Sequence, residues 1–190
     1  RLDDAANGEL ASEAGVSISK SADGQLVYEI KAGKADPARI NTLSTAKGET
    51  YKVRLPDGSL VYLNAASSLT YAASLNERGK RIVKLSGEGY FEIAKDKAHP
   101  FVVSSDEQKV EVLGTHFNIN NYADESEAKT TLLEGSVNVS NMNGKNSKTL
   151  TPGQQAIVKG SDLKVSDADI EQVVSWKNGD FVFVGEDLKT

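Results

Sequence analysis

Between Tyr51 and Val139 short segments of alternating apolar and polar residues follow one another closely, separated by glycine-containing turns. Alternation with a period of two marks a strand that buries one face and shows the other to solvent. Val53 and Leu55 lead into the turn Leu55-Pro56-Asp57-Gly58-Ser59, and Val61 and Leu63 lead out of it. Proline presets φ at the first turn position, and glycine takes the positive φ that a tight reversal needs. Such a chain is constrained to a β framework specified turn by turn, with few residues left over for chemistry.

The 190 residues make one ordinary domain, or one domain and a fragment of another. A chain of this size buries roughly 70% of the surface its unfolded form exposes, so no metal or disulfide is needed as a staple. Hydrophobic residues are 38% of the total, and many are single Val, Leu or Ile between polar neighbours. That pattern belongs to half-buried antiparallel sheets; parallel sheets read as continuous apolar runs. The net charge of -5 argues against nucleic acid as a partner, because that role wants a basic face. Cysteine is absent, which fits either a reducing or an oxidising compartment. No run of about 18 apolar residues is present, so no transmembrane helix is expected within the chain. The sequence opens at Arg1 without an initiator methionine or an apolar leader. It is therefore expected to be a piece of a longer protein, whose address and anchor would precede Arg1.

Residues 1–39 read as a polar lead-in, a hairpin and a connector. In the hairpin, Val16 and Ile18 are joined through Ser21-Ala22-Asp23-Gly24 to Leu26, Tyr28 and Ile30. Residues 40–179 form the main all-β unit. Strands are expected near 40–44, 50–55, 59–63, 69–73, 81–86, 89–94, 101–104 and 108–113, then near 116–120, 129–134, 136–140, 154–158 and 163–166. The stretch from Asp167 to Val174 alone looks helical, with acidic residues in its first turn and Ile170, Val173 and Val174 at helical spacing. The expected fold is a jelly-roll-like β-sandwich of short antiparallel strands with one short helix near the C-terminus. An irregular β-solenoid is the alternative.

The chemical inventory is thin. His116, Asn118 and Asn120 share one strand face opposite Phe117 and Ile119, and read as a solvated face. His99 precedes Pro100 in a polar turn. One imidazole at a place and no thiols fall short of the three or four protein ligands of a zinc site. Glu88, Glu92 and Glu134 are the carboxylates from which a glycosidase pair would have to be drawn, yet each also suits a turn or a solvent-facing position. Asp124, Glu125 and Glu127 form an acidic loop without the ligand spacing of a calcium motif. Ser86-Gly87-Glu88-Gly89 is not a nucleophile elbow, and neither a phosphate loop nor a dinucleotide fingerprint is present. Phe91 and Ile93, like Phe117 and Ile119, suit buried faces; Tyr62 and Tyr90 are less clearly buried. Trp176 reads as a packing plug, with an interface anchor as the other option. No catalytic, metal or cofactor site is assigned, and no partner-binding residue stands out.

The order of the motifs carries a resemblance. Thr45-Ala46-Lys47-Gly48 leads to Tyr51-Lys52-Val53-Arg54-Leu55-Pro56-Asp57-Gly58-Ser59, Val61-Tyr62-Leu63-Asn64-Ala65 and Ser67-Ser68-Leu69. Arg81, Val83 and Leu85 precede Gly87-Glu88-Gly89-Tyr90-Phe91-Glu92-Ile93 and Pro100-Phe101-Val102-Val103. Then come Val112-Leu113-Gly114-Thr115-His116-Phe117-Asn118-Ile119, Thr131-Leu132-Leu133-Glu134-Gly135-Ser136-Val137, Pro152-Gly153-Gln154-Gln155-Ala156 and Trp176-Lys177-Asn178-Gly179. Across residues 41–184 the chain resembles the FecR family of periplasmic sigma-factor regulators (anti-sigma factors), in its Bacteroidetes-like branch. Tyr62 stands where the family often has Trp, and Ala72-Ala73-Ser74-Leu75 departs from a Pro-x-x-Phe-like stretch.

The resemblance implies the periplasmic domain of a single-pass inner-membrane protein, with a cytoplasmic anti-sigma segment and the membrane helix ahead of Arg1. It implies two partners: the signalling domain of an outer-membrane TonB-dependent transporter, and an extracytoplasmic-function sigma factor held by the cytoplasmic segment. It implies no enzyme activity and no cofactor. Residues 180–190, with Phe181-Val182-Phe183-Val184-Gly185-Glu186-Asp187-Leu188, look like the first strand of a C-terminal α/β domain. The rival reading is a carbohydrate-binding jelly-roll module. A glycan-cleaving enzyme comes third and would need two carboxylates about 5–9.5 Å apart.

Overall fold

The computed structural model describes residues 39–180, and with them the backbone of three earlier strands. These are β1 (Gly8–Glu13), β2 (Val16–Lys20) and β3 (Leu26–Ile30). The expected hairpin is present, with β2 and β3 antiparallel and Val16 opposite Ile30. The lead-in adds the strand β1 beside β2. The stretch Phe181–Leu188 lies outside the described residues.

Next come β4 (Ile40–Ser44), β5 (Tyr51–Arg54), β6 (Leu60–Leu63), β7 (Ser68–Glu77) and the long β8 (Lys80–Glu92). They are followed by β9 (Phe101–Ser104), β10 (Gln108–Val112), β11 (His116–Asn121), β12 (Ala128–Glu134) and β13 (Val137–Asn141). The last are β14 (Ser147–Leu150), β15 (Gln154–Lys159), β16 (Asp162–Asp167) and the helix α1 (Ile170–Asn178). The all-β expectation holds, with one short helix among the described residues.

The strands make two sheets around one core. The first runs β1-β2-β3-β5-β6-β8-β11-β12-β15-β16. The second runs β4-β7-β8-β9-β10-β13-β14. Strand β8 belongs to both: Lys80–Ser86 pairs with β7, and Gly87–Glu92 pairs with β6 and β11. At the far side β14 approaches β15 and β16, and the Asn141 and Asn146 side-chain amides donate to the Ser161 carbonyl at 3.2 and 2.8 Å. The two layers therefore nearly close into a barrel.

The interior is filled by the alternate residues of both layers. Phe91, Phe117, Ile119 and Leu132 come from the first sheet, and Leu69, Leu85, Phe101 and Val110 from the second. Phe91 and Phe117 face each other across β8 and β11 and stack with ring centroids 5.0 Å apart. Full burial of such a side chain contributes about 1.5–3 kcal/mol.

Three local features differ from the expectation of short antiparallel strands. The segments 81–86 and 89–94 are one strand of 13 residues, because Gly87 bends the chain without ending it. Two pairs are parallel, β3 with β5 and β8 with β9; each needs a crossover that local alternation does not reveal. Strand β14 was not expected, since only Leu150 of its four residues is buried. A register shift between Tyr71 and Asn76 places Leu75 in the core, with φ of 53°, at the stretch that departs from the family pattern.

The helix starts later than its acidic residues suggested. Asp167 ends β16, opposite Gln154, and Asp169 is the N-cap, accepting from the Gln172 backbone N–H at 3.2 Å. Asp169-x-x-Gln172 has capping-box spacing. Lys177 occupies the last turn, where a cation suits the helix dipole, and Gly179 closes the end with bonds to the Ser175 and Trp176 carbonyls.

Candidate functional site

Helix α1 follows β16 and lies on the outer face of the first sheet. Residues that alternate with the core side chains supply that face: Lys52, Tyr62, Glu88, Tyr90, Glu92, His116, Asn118, Asn120, Lys129, Thr131 and Gln155. Tyr62 and Tyr90 are cross-strand neighbours with an edge-to-face contact, centroids 5.8 Å apart. Lys177 of α1 places its ammonium 4.7 Å from the Tyr62 ring centre and 4.3 Å from that of Tyr90. It also lies 3.6 Å from the Glu92 carboxylate. Burial, with Glu92 beside it, pushes the Tyr90 phenol up to about 12.

The residue before Lys177 supplies a second anchor. The Trp176 indole N–H donates to Asn118 Oδ1 at 3.3 Å. Asn118 Nδ2 donates to Glu88 Oε1 at 2.9 Å, and Asn64 Nδ2 donates to Glu88 Oε2 at 2.8 Å. A polar relay thus runs from the helix through the sheet to the β6–β7 turn. Burial raises the Glu88 carboxyl above its ordinary value, and the two amide donors partly offset that rise.

These placements correct two expectations. Asn118 is only 2% exposed and Glu88 only 8%, so neither stands on a solvated face. The helix covers the one and the Asn64 turn encloses the other. His116 does remain half-exposed, with Nδ1 3.2 Å from Glu134. Glu92 pairs with the helix, and Glu134 is exposed. His99 sits in its turn, its Nδ1 2.8 Å from Asp96, and that bond holds the Asp96 carboxyl below its usual value. In the acidic loop Glu125 faces Lys129 and Glu127 faces Lys159 at 3.9 and 3.8 Å. Among the described residues no three His, Asp or Glu side chains gather as metal ligands. Trp176 is half-buried and lies against Asn118.

Between α1 and the sheet a cleft of about 410 Å³ remains open, with Glu88, Asn120, Lys129, Gln155, Val173 and Trp176 among its walls. A second groove of about 450 Å³ lies beside Leu113, Gly114 and Gly135, away from the helix. The sequence held one unused cue to the helix site: Tyr62, Tyr90 and Asn118 all fall on the side of their strands that alternation assigns away from the core.

Removing the helix anchor has a measurable consequence. Trp176→Ala is expected to weaken the seat of α1 by about 1–2 kcal/mol, a factor of roughly 5–30 in its opening equilibrium. Hydrogen exchange at the amides of α1 should quicken by that factor while the core strands keep their protection. Unchanged exchange in the helix would show that the indole does not hold it.

The described residues form an all-β domain that seats one short helix on the polar outer face of a sheet. The chain belongs to the FecR family: the family model described as FecR protein matches residues 41–138. Two crystal structures of proteins from Parabacteroides distasonis ATCC 8503, each assigned as an anti-sigma factor, are similar to it. The first is 29% identical with a TM-score of 0.70, covering 74% of this chain and 66% of the other. The second is 29% identical with a TM-score of 0.68, covering 73% and 65%. This chain thus spans just under two thirds of the length of those relatives. No curated protein matches it. Membership supports a role in signalling regulation. Among the described residues no helix is long and apolar enough to cross a membrane.

Proposed function

We propose that this chain is the relay domain of a FecR-type anti-sigma factor and works by contact, without a catalytic step. In this reading it lies in the periplasm, tethered to the inner membrane by a helix that precedes Arg1. It passes a signal from an outer-membrane TonB-dependent transporter to an extracytoplasmic-function sigma factor. Residues 40–179 are the relay unit, residues 1–39 lead into it, and residues 180–190 begin a second domain.

A relay requires an interface and an element with two positions, each favoured by a different partner state. The observation that carries the reading is the seat of α1. It rests on one indole–amide bond, one ion pair and cation–π contacts, and none of its residues is fully buried. Contacts of this kind are worth about 0.5–2 kcal/mol each, so a docking partner can outbid them. Strand addition is a reasonable docking mode. Among the described residues β4 pairs only with β7, and Ile40 at its start is 63% exposed.

The test is a binding measurement between the transporter's signalling domain and the complete periplasmic region, joined to a sigma-dependent reporter in cells. Binding is expected, and Trp176→Ala should change reporter output without lowering the level of the protein. Absence of binding to the complete periplasmic region would remove the relay reading.

A further inference from the structure

The cleft under α1 has features that a bare helix seat does not need. Its floor holds Glu88, 8% exposed, whose two oxygens each accept one amide hydrogen. A carboxylate offers roughly four lone-pair sites, so acceptor capacity is left over. Among the described residues no Lys, Arg or His nitrogen pairs with it within 4.0 Å, although buried carboxylates are ordinarily paired. Beside it Gln155 gives one of its two amide hydrogens to Thr131 Oγ1 at 2.7 Å and keeps its carbonyl oxygen for another donor.

The opposite wall is different in kind. Val173 and Trp176 present apolar surface from the helix, and Gln172 also lines the cleft. An occupant must therefore offer hydroxyl donors on one side and C–H surface on the other. An anion is disfavoured, since Glu88, Asp167 and Asp169 outnumber Lys129 around the cleft. A cation is drawn by the same acids but repelled by Lys129, whose charge acts on Glu88 itself, and a titration with spermidine separates it from a sugar. A purely apolar molecule would strand Glu88 and Gln155 without water, at the cost of their hydration. The volume of about 410 Å³ falls within the roughly 300–1,000 Å³ of small-molecule sites.

We propose that this cleft binds a neutral saccharide, with hydroxyl groups on Glu88 and Gln155 and a sugar face against Val173 and Trp176. Such a ligand touches sheet and helix together, so its binding holds α1 in place. The site is independent of the relay reading, and either can stand if the other falls.

Trp176 is the only tryptophan in the sequence, so emission from the 190-residue chain reports this cleft alone. Titration with cellotriose, maltotriose and chitotriose is expected to give a saturable change with at least one of them, at a dissociation constant of about 1 mM or tighter. Gln172→Ala should weaken that binding about fivefold with an unchanged melting temperature, and Gln155→Ala should weaken it as much while lowering the melting temperature, since Thr131 Oγ1 loses its donor. Amide chemical shifts around Lys129 and Gln155 should move in the same titration. Three results would overturn the proposal: no saturable response to any of the sugars, a response to spermidine in place of the sugars, or undiminished affinity in both variants.

Discussion

Asp57→Ala should lower the unfolding free energy by about 3 kcal/mol, seen as a shifted urea midpoint at constant slope. Asp57 sits in the Pro56-Asp57-Gly58 turn between β5 and β6, where its carboxylate does two things. Oδ1 accepts the Ser59 backbone N–H at 3.0 Å, and Oδ2 accepts the Ser59 hydroxyl at 2.7 Å. Oδ2 also accepts from Arg81 Nη1 at 2.7 Å. Arg81 is 5% exposed, lies on the Phe101 ring with its guanidinium 5.3 Å from the centre, and donates to the His99 and Ala94 carbonyls. Removing Asp57 strands that cation inside the protein. A buried pair is screened little by salt, so the loss should persist at high ionic strength. In a double-mutant cycle with Arg81→Met, a coupling energy of about 2 kcal/mol is expected. A loss well under about 1 kcal/mol for Asp57→Ala would mean the turn is not locked to β8.

Gly87→Ala should cost about 2–5 kcal/mol, a loss of similar size. Gly87 stands where β8 passes from one sheet to the other, with φ of +85°. A Cβ there would lie 2.4 Å from Ser67 Oγ and 2.9 Å from Ser67 Cα. The backbone atom cannot swing aside, and Ser67 Oγ is already the acceptor for the Glu88 N–H at 2.9 Å. The left-handed conformation costs about 1–2 kcal/mol for alanine, and the overlap a further 1–3 kcal/mol or so. Gly58→Ala is the control, since its φ is +84° but nothing lies within 4 Å of the added carbon. It should lose only the conformational part. Equal losses in the two variants, read by chemical denaturation, would show that contact with Ser67 is not the cause.

The turn that holds Asp57 and Gly58 explains why so much of the frame is legible in the sequence. In Leu55-Pro56-Asp57-Gly58-Ser59 the Gly58 N–H bonds to the Leu55 carbonyl at 3.0 Å and the Leu55 N–H to the Ser59 carbonyl at 2.9 Å. This is the three-residue hairpin loop its composition encodes. The bounds of β4 and β9 agree with the strands expected at 40–44 and 101–104, and Phe91 and Phe117 face inward as their period requires. Other features lay beyond that signal. A glycine inside a strand reads as a break, so β8 was divided at Gly87. Parallel pairing of β8 with β9 depends on the path of the chain between them. Alternation assigns Asn118 and Glu88 to the outer side of the first sheet but is silent on what covers them. The pattern starts the helix that covers Asn118 three residues early, because Asp167 and Asp169 are both acidic and only the second caps.

The double membership of β8 bears on how the molecule comes apart. One ribbon of backbone serves as an inner row in each layer, so neither layer can be stripped away while the other stays whole. Denaturation should then run as a single all-or-none event across residues 40–167, with the terminal helix free to peel off earlier. A signal arriving at that helix can change its position while the body beneath it keeps its shape.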